Sequence, residues 1–284
     1  MIYLDANATT PLLPEVLNAM MPWLKDGFSN PSGAYASAKS AKKAIDQARI
    51  EVADWIGAEP SEIIFTSGGT ESVNTALYSL DRQLGHGAAV VSAIEHSAVL
   101  RCVESFSRKV KYAPVTTGGQ LDMDVFTENI NTAAYVSLMA ANNETGVIQP
   151  LREVIELAHA LGIPVHSDAI QAAGKMPMNV KELGVDLLSL SAHKFHGPKG
   201  VGALYVREGL KFMPFLLGGG QESGRRSGTE NTAGIVGMGA AATAIKSLAS
   251  ESMRAMRDAL IVASRVPTKN SRTKNPACAA RNTK

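Results

Sequence analysis

Apolar residues recur along the chain in two rhythms. In residues 12–24, Leu13, Val16, Leu17, Met20, Met21 and Leu24 fall at helical spacing behind Thr10-Pro11, which predicts a short amphipathic helix resting on another part of the molecule. After the loop-forming Asn30-Pro31-Ser32-Gly33, a second helix is predicted over residues 36–56. There Ala41, Ala44, Ile45, Ala48, Val52 and Ile56 share one stripe, and Lys42, Lys43, Asp46 and Arg49 lie outside it. Short apolar runs then predict strands at residues 62–67, 88–92, 135–140, 163–167, 186–191 and 201–206. Helical patterns follow several of them, over 71–80, from Glu95 onward, and along Leu151, Val154, Ile155, Ala158 and Leu161. Strand, polar loop and helix in repetition predict an α/β fold with an open, mostly parallel sheet and flanking helices.

The loops between these elements carry the candidate chemistry. The first strand runs into Gly68-Gly69-Thr70 and a helix start, an order that aims backbone N–H groups and the positive end of a helix dipole at one spot and suits a phosphate. The same glycines also suit an ordinary strand-to-helix turn. His96 sits at the next strand-to-helix junction and reads either as a ligand contact or as a helix cap. The run at 135–140 ends in Asn142-Asn143-Glu144-Thr145-Gly146, and the run at 163–167 ends in Asp168 with Gln171 three positions on. Asp168 reads as a carboxylate holding a cation or as a turn residue. Lys194 lies in Ser191-Ala192-His193-Lys194-Phe195-His196-Gly197-Pro198-Lys199-Gly200, between two predicted strands. It reads as a plain Gly-Pro turn residue or as a lysine that loses its proton and becomes a nucleophile for a carbonyl. Each signal alone is weak. An α/β sheet brings Gly69, Thr70, His96, Asn143, Asp168, Gln171 and Lys194 to one edge, and that set fits a phosphorylated aldehyde cofactor.

Composition narrows the alternatives. A chain of 284 residues with 45% hydrophobic and 19% charged residues is expected to fold around a substantial core. The glycine loops match neither G-x-x-x-x-G-K-[ST] nor G-x-G-x-x-G, which disfavours ATP and NAD. Two cysteines, Cys102 and Cys278, are too few for a disulfide framework. With no secretory pattern at the N-terminus and no membrane-length apolar run, they point to the cytoplasm. The net charge of +2 hides an asymmetry, because six basic residues and no acidic one follow Asp258. That tail lacks aromatics for base stacking and any periodicity, so a solvated segment is expected and no nucleic acid or membrane partner.

Taken in order, the motifs are Tyr3-Leu4-Asp5 through Ala8-Thr9-Thr10-Pro11, Asn30-Pro31-Ser32, Thr66-Ser67-Gly68-Gly69-Thr70-Glu71, Glu95-His96, Asn142-Asn143-Glu144, Asp168-Ala169 with Gln171, Ser191 to Gly200, and Arg226-Ser227-Gly228-Thr229-Glu230-Asn231. Over roughly residues 1–250 the chain resembles the cysteine desulfurases, the NifS-like branch of the class V aminotransferase family, which has the fold-type I pyridoxal phosphate architecture. The Arg-Ser-Gly-Thr form resembles the NifS and IscS group more than the SufS-like one. The resemblance implies pyridoxal 5'-phosphate as cofactor, with Lys194 as its Schiff-base lysine and proton shuttle. It implies that Asp168 pairs with the ring nitrogen, Gln171 bonds the ring hydroxyl, His96 stacks on the ring and handles protons, and Asn143 orients the substrate. Gly69 lies in the cofactor loop, and Thr70, Ser191 and His193 are implied to hold the phosphate. Thr229 is implied to reach the phosphate of the other subunit of a homodimer.

The implied reaction removes sulfur from L-cysteine, leaving alanine, and passes the sulfur through an enzyme persulfide to an acceptor protein, for iron-sulfur cluster assembly or related sulfur metabolism. Three segments are expected: residues 1–25 packing with a small domain, a cofactor-binding large domain over 26–250, and a truncated, divergent remnant over 251–284. In the family, the persulfide cysteine and a carboxylate-binding arginine lie in a C-terminal small domain beyond the length of this chain. Cys278 lacks the Ser/Gly-rich surroundings of that catalytic loop. Two further readings therefore stand beside the desulfurase. One is a selenocysteine lyase or aminotransferase-like enzyme that needs no cysteine nucleophile, and the other is a non-catalytic remnant or scaffold. Without the small domain, the stripe of the first helix is expected to stay exposed and to cause poor solubility or abnormal association.

Overall fold

The computed structural model of the chain describes residues 2–246, 255–260 and 262. The chain divides into two units, Met1–Ser247 and Leu248–Lys284, and the first holds the whole sheet. In the second, residues 255–260 are helical. The end of the basic tail and Cys278 lie outside the described residues.

Seven strands form one sheet: β1 (Ile63–Thr66), β2 (Ala88–Ser92), β3 (Val110–Ala113), β4 (Ala133–Ser137), β5 (Val165–Asp168), β6 (Leu187–Ser191) and β7 (Gly202–Val206). Their order across the sheet is β1-β7-β6-β5-β4-β2-β3. β2 to β6 pair in parallel, whereas β7 runs antiparallel to both neighbours. Two reversals leave β1 pointing the same way as β6. The carboxyl ends of β1 to β6 therefore share one edge, which is where loops in such sheets converge on ligands.

The strands are buried on both faces because helices cover both sides. Alternate residues feed two cores: on β7, Ala203 and Tyr205 join one cluster while Leu204 and Val206 join the other. The second cluster is closed by α3 (Gly69–Gln83) and α4 (Ser97–Glu104), through Val73, Leu77, Val99 and Val103. The first is closed by α1 (Pro14–Lys25), α2 (Ala36–Ile56), α5 (Met123–Ile130), α6 (Leu151–Ala160) and α8 (Thr232–Ile245), with the single turn α7 (Val180–Leu183) beside α6.

The strand and helix expectations hold in position, with shifted ends. The strand expected at 135–140 is β4 at Ala133–Ser137, and the helix expected at 71–80 runs from Gly69 to Gln83. β3, α5, α7 and α8 carry no expectation from the sequence reading above. α8, TAGIVGMGAAATAI, is small and apolar on every side, so it has no stripe to read. Its glycines serve close packing. A Cβ at Gly239 would lie 2.7 Å from the Ala48 Cα of α2, and one at Gly237 would lie 2.7 Å from the Met20 Sδ of α1. α8 thus packs closely against both α1 and α2.

The central strands also contain polar residues. His166 on β5 is fully buried and its ring bridges Ser137 Oγ on β4 at 2.8 Å and Ser189 Oγ on β6 at 2.9 Å. Burial pushes its pKa down to about 3, so the ring stays neutral and serves as a cross-strand tie.

Candidate functional site

Five loops meet at the shared edge around a cavity of about 510 Å³, within the size range of small-ligand sites. Gly69, Thr70, His96, Asn143, Asp168, Gln171, Ser191, His193 and Lys194 all line it. A polar cavity of about 420 Å³ shares Gly69, Thr70, Ser191 and His193 and adds Lys199.

β1 runs into Ser67-Gly68, and α3 starts at once at Gly69. A helix start leaves backbone N–H groups without intrahelical partners, here aimed at the cavity wall. Space decides the residue type. A Cβ at Gly69 would lie 2.2 Å from Ile170 Cδ1 and 3.3 Å from Ser191 Cβ, and one at Gly202 would lie 2.7 Å from the Gly68 carbonyl carbon. Glu71 closes the turn by accepting Ser67 N–H at 2.9 Å, and it holds Arg226 through two contacts of 2.7 and 3.1 Å. Burial works against ionisation of Glu71, but the Arg226 and Ser67 hydrogen bonds outweigh it and hold the carboxyl below its ordinary range.

Also lining the cavity, Asp168 ends β5 and is buried, with Oδ1 accepting the Ile170 N–H at 3.0 Å. Burial raises its pKa, while the Ile170 hydrogen bond and the neighbouring His96 and Lys194 oppose the rise. Lys194 ends the 3-10 turn Ala192–Lys194 after β6. Burial pushes its ammonium below the ordinary lysine range, with Asp168 and Asp5 pulling the other way. His96 caps α4, and its Nδ1 accepts the Ala98 N–H at 3.1 Å. That contact places the proton of the neutral ring on Nε2.

The N-terminal segment ties these loops together. The Asn7 carbonyl accepts from Lys194 Nζ at 2.7 Å and from Gln171 Nε2 at 3.1 Å, and the Asn7 side chain donates to the Asn143 carbonyl. Thr10 donates to the His193 carbonyl from both its N–H and its hydroxyl, each at 2.9 Å, and its hydroxyl accepts the His196 N–H at 2.7 Å. His193 Nδ1 pairs with Thr9 Oγ1 at 3.2 Å. Burial, followed by the charges of Lys194, Lys199 and Lys175, lowers the His193 pKa.

Of the residues named from the sequence, only Thr229 stands apart. It is exposed and does not line the cavity, and the loop before it is held by Arg226 on Glu71 and by Gly228 N–H on Gln221 Oε1 at 2.9 Å. The structure adds Asp5, Asn7, Ala8, Met139, Glu144 and Ile170 to the lining. Asn7 lies 187 positions from Lys194, so no local pattern predicts their contact. Its turn composition, Asp5-Ala6-Asn7-Ala8, is the one signal in the chain. Among the described residues no group of three or more His, Cys, Asp or Glu is placed to hold a metal ion, and no helix is long and apolar enough to cross a membrane.

Comparison with known proteins agrees with this architecture. The profile for the family described as "Aminotransferase class-V" matches residues 2–265. A protein named cysteine desulfurase IscS from Dictyoglomus turgidum is 48% identical over 248 residues, which cover 84% of this chain and 62% of that protein. The chain thus spans under two thirds of that relative's length. A solved structure titled "NIFS-LIKE PROTEIN" superposes with a TM-score of 0.89 at 39% identity, covering 92% of this chain and 75% of the other. A second, "SspA in complex with cysteine", superposes with a TM-score of 0.85 at 38% identity, covering 93% and 78%. With a profile match that spans most of its length and a sheet shared with these structures, the chain belongs to the aminotransferase class-V family.

Proposed function

We propose that the cavity holds pyridoxal 5'-phosphate and that the protein is a cysteine desulfurase acting on L-cysteine. One observation carries this reading: a single cavity is lined by a half-buried lysine, a buried carboxylate and a glycine at a helix start. The wall at Gly69, His193 and Lys199 suits a dianionic phosphate, and a Cβ at Gly69 would fill that wall. Asp168 suits a cationic ring nitrogen, because a cation there offsets the burial that raises its pKa. The residues fit both the phosphate and the ring nitrogen of the cofactor.

In this reading Gly69, Thr70, Ser191 and His193 hold the phosphate, and Asp168 keeps the ring nitrogen charged. Gln171 would donate to the ring oxygen, His96 would hold the ring, and Asn143 would orient the substrate. When bound, the cofactor supplies an electron sink for negative charge developing at the α-carbon of the amino acid. Lys194 supplies the amine that carries the cofactor and then takes and returns the α-carbon proton. Its depressed pKa favours the neutral amine that both tasks need. His96, with the proton of its neutral ring on Nε2, donates at the substrate side of the cavity.

The sulfur-accepting step needs a thiolate. Cys102 is buried in α4, and burial, with the charge of Asp81 adding to it, pushes its thiol up to about 12, so it does not serve. Cys278 lies outside the described residues. This favours keeping one second reading, a selenocysteine lyase or aminotransferase-like enzyme that needs no cysteine nucleophile, with a non-catalytic cofactor-binding remnant as the limiting case. The desulfurase reading extends to a cytoplasmic homodimer in which Thr229 reaches the partner's phosphate, and to a sulfur-acceptor protein serving iron-sulfur cluster assembly. The names of the relatives and the structure solved with cysteine support it.

The test is to add pyridoxal 5'-phosphate to the purified chain and record the visible spectrum. A band that is absent in Lys194→Ala is expected, and a band indifferent to that change overturns the cofactor reading. Sulfide release from L-cysteine is the second arm. Its absence, with the band intact, overturns the desulfurase and leaves the lyase or remnant.

A further inference from the structure

Gln171 is a cavity residue whose chemistry depends on which way its side chain is turned. A carboxamide presents an acceptor on one side and two donors on the other, and the two orientations occupy the same space. Its neighbours settle the choice. Lys175 Nζ lies 2.6 Å from Gln171 Oε1, and an ammonium only donates. On the other side, Gln171 Nε2 lies 3.1 Å from the carbonyl oxygen of Asn7, which only accepts. A donor-only group and an acceptor-only group thus bracket the amide, and reversing it would turn both contacts repulsive.

Lys175 does not line the cavity, being half-buried behind Gln171 in the turn that follows β5. Gly174 permits this placement with a φ of 77°, in the left-handed region, and a Cβ there would lie 2.7 Å from the Phe195 Cβ beside Lys194. Burial and the charge of Lys194 bring the Lys175 ammonium down to about 8. Among the described residues no carboxylate is bonded to Lys175 Nζ; its partner is the Gln171 amide oxygen.

We propose that Lys175 is a positioning residue that locks the Gln171 carboxamide with its NH₂ group toward the cavity, so that the site selects a ligand oxygen that accepts a hydrogen bond beside Lys194. This rests on the reading of the cavity as a pyridoxal 5'-phosphate site, where that oxygen is the ring oxygen. One N–H of the amide is taken by the Asn7 carbonyl, which also accepts from Lys194. The second N–H is left for the ligand. Lys175 therefore acts on the cofactor through Gln171 without touching it.

A double-mutant cycle tests this with cofactor affinity and the visible spectrum as readouts, independent of turnover. Pyridoxal 5'-phosphate is titrated into the cofactor-free chain for wild type, Lys175→Met, Lys175→Arg, Gln171→Ala and the Lys175→Met/Gln171→Ala pair. Loss of a hydrogen bond to a charged group predicts roughly tenfold weaker binding and a displaced band in Lys175→Met. Lys175→Arg, still donor-only, is expected to restore most of both. In the Gln171→Ala background, Lys175→Met is expected to change nothing further, because the group it orients is gone. Equal losses in both backgrounds, or wild-type affinity and spectrum in Lys175→Met, overturn the lock while leaving the cofactor site standing. A wild-type chain that forms no Lys194-dependent band overturns both.

Discussion

Beside the site, Glu95 is held well away from its ordinary protonation state. It is buried beside His96, with Oε1 accepting from Met139 N–H at 2.7 Å and Ser92 Oγ at 2.8 Å, and Oε2 has no partner among the described residues. Burial drives its pKa from 4.5 to about 8, against the Met139 hydrogen bond and with the charge of Asp168 adding to the rise. The folded state therefore holds a proton that the unfolded state has released between pH 4.5 and 8. The stability this contributes is full below 4.5 and is lost as pH rises to 8. His166 works in the opposite sense, since its folded pKa of about 3 lies below the ordinary 6.5, and stability rises with pH across that window. The two offset each other between pH 4.5 and 6.5, and above 6.5 the Glu95 contribution continues without that of His166. Glu95→Gln is expected to remove a slope of up to about 1.4 kcal/mol per pH unit there. Urea midpoints at pH 6.5 and 8 check this, and parallel curves for variant and wild type contradict it.

Among the elements, β1 presents an edge of the sheet that the chain caps with its own side chains. Phe65 N–H on that edge donates to Glu222 Oε2 at 2.8 Å, and the Ile63 carbonyl accepts from Arg49 at 2.8 Å. Unpaired edge groups invite pairing with other strands, so this cover has a protective sense. Arg49 and Glu222 form a two-pronged pair at 2.6 and 2.7 Å, with side chains 12% and 2% exposed. Glu222→Ala leaves a buried guanidinium and a buried N–H unpaired, and a loss of about 3–5 kcal/mol is expected. Removing the exposed Arg101–Glu104 pair is expected to cost under about 0.5 kcal/mol. Denaturant melts of both variants check the contrast, which similar losses would erase. Where β7 begins, Gly202→Ala would set a Cβ 2.6 Å from the Leu190 carbonyl oxygen and 2.8 Å from Gly68 Cα. We expect a cost of about 1–3 kcal/mol and weaker cofactor binding, because the shift falls on the glycine turn. An unchanged melt and titration would show that the turn yields without loss.

At the scale of the whole molecule, the large unit leaves apolar side chains in water. Ile2 is 87% exposed, Leu4 91%, Phe28 88% and Leu217 81%. On α1 only Val16 is fully buried, while Leu17 and Leu24 remain open. A net charge of +2 provides little repulsion to keep copies apart. The chain is therefore expected to self-associate at micromolar concentration, and Leu4→Ser with Leu217→Ser to shift it toward the monomer. Sedimentation velocity reads this directly, and a monodisperse monomer in wild type runs against it.

What the sequence determined alone is the set of local signals: strands and helices with clear periods, the glycine turn at Gly68-Gly69, and the polar ends at His96, Asn143, Asp168 and Lys194. Short-range sterics and burial dictate these, so they can be read within a few residues. α8 escaped because an element apolar on every side has no period, and β7 reverses direction because it returns straight from the Lys194 turn. The tertiary structure alone decided the pairings across distance. Asn7 joins Lys194, Gln171 and Asn143, Arg226 reaches Glu71, and Lys175 meets Gln171 with its amide already committed to Asn7. These contacts depend on where the sheet order carries each loop, and that order is set by the packing of the two cores on its faces.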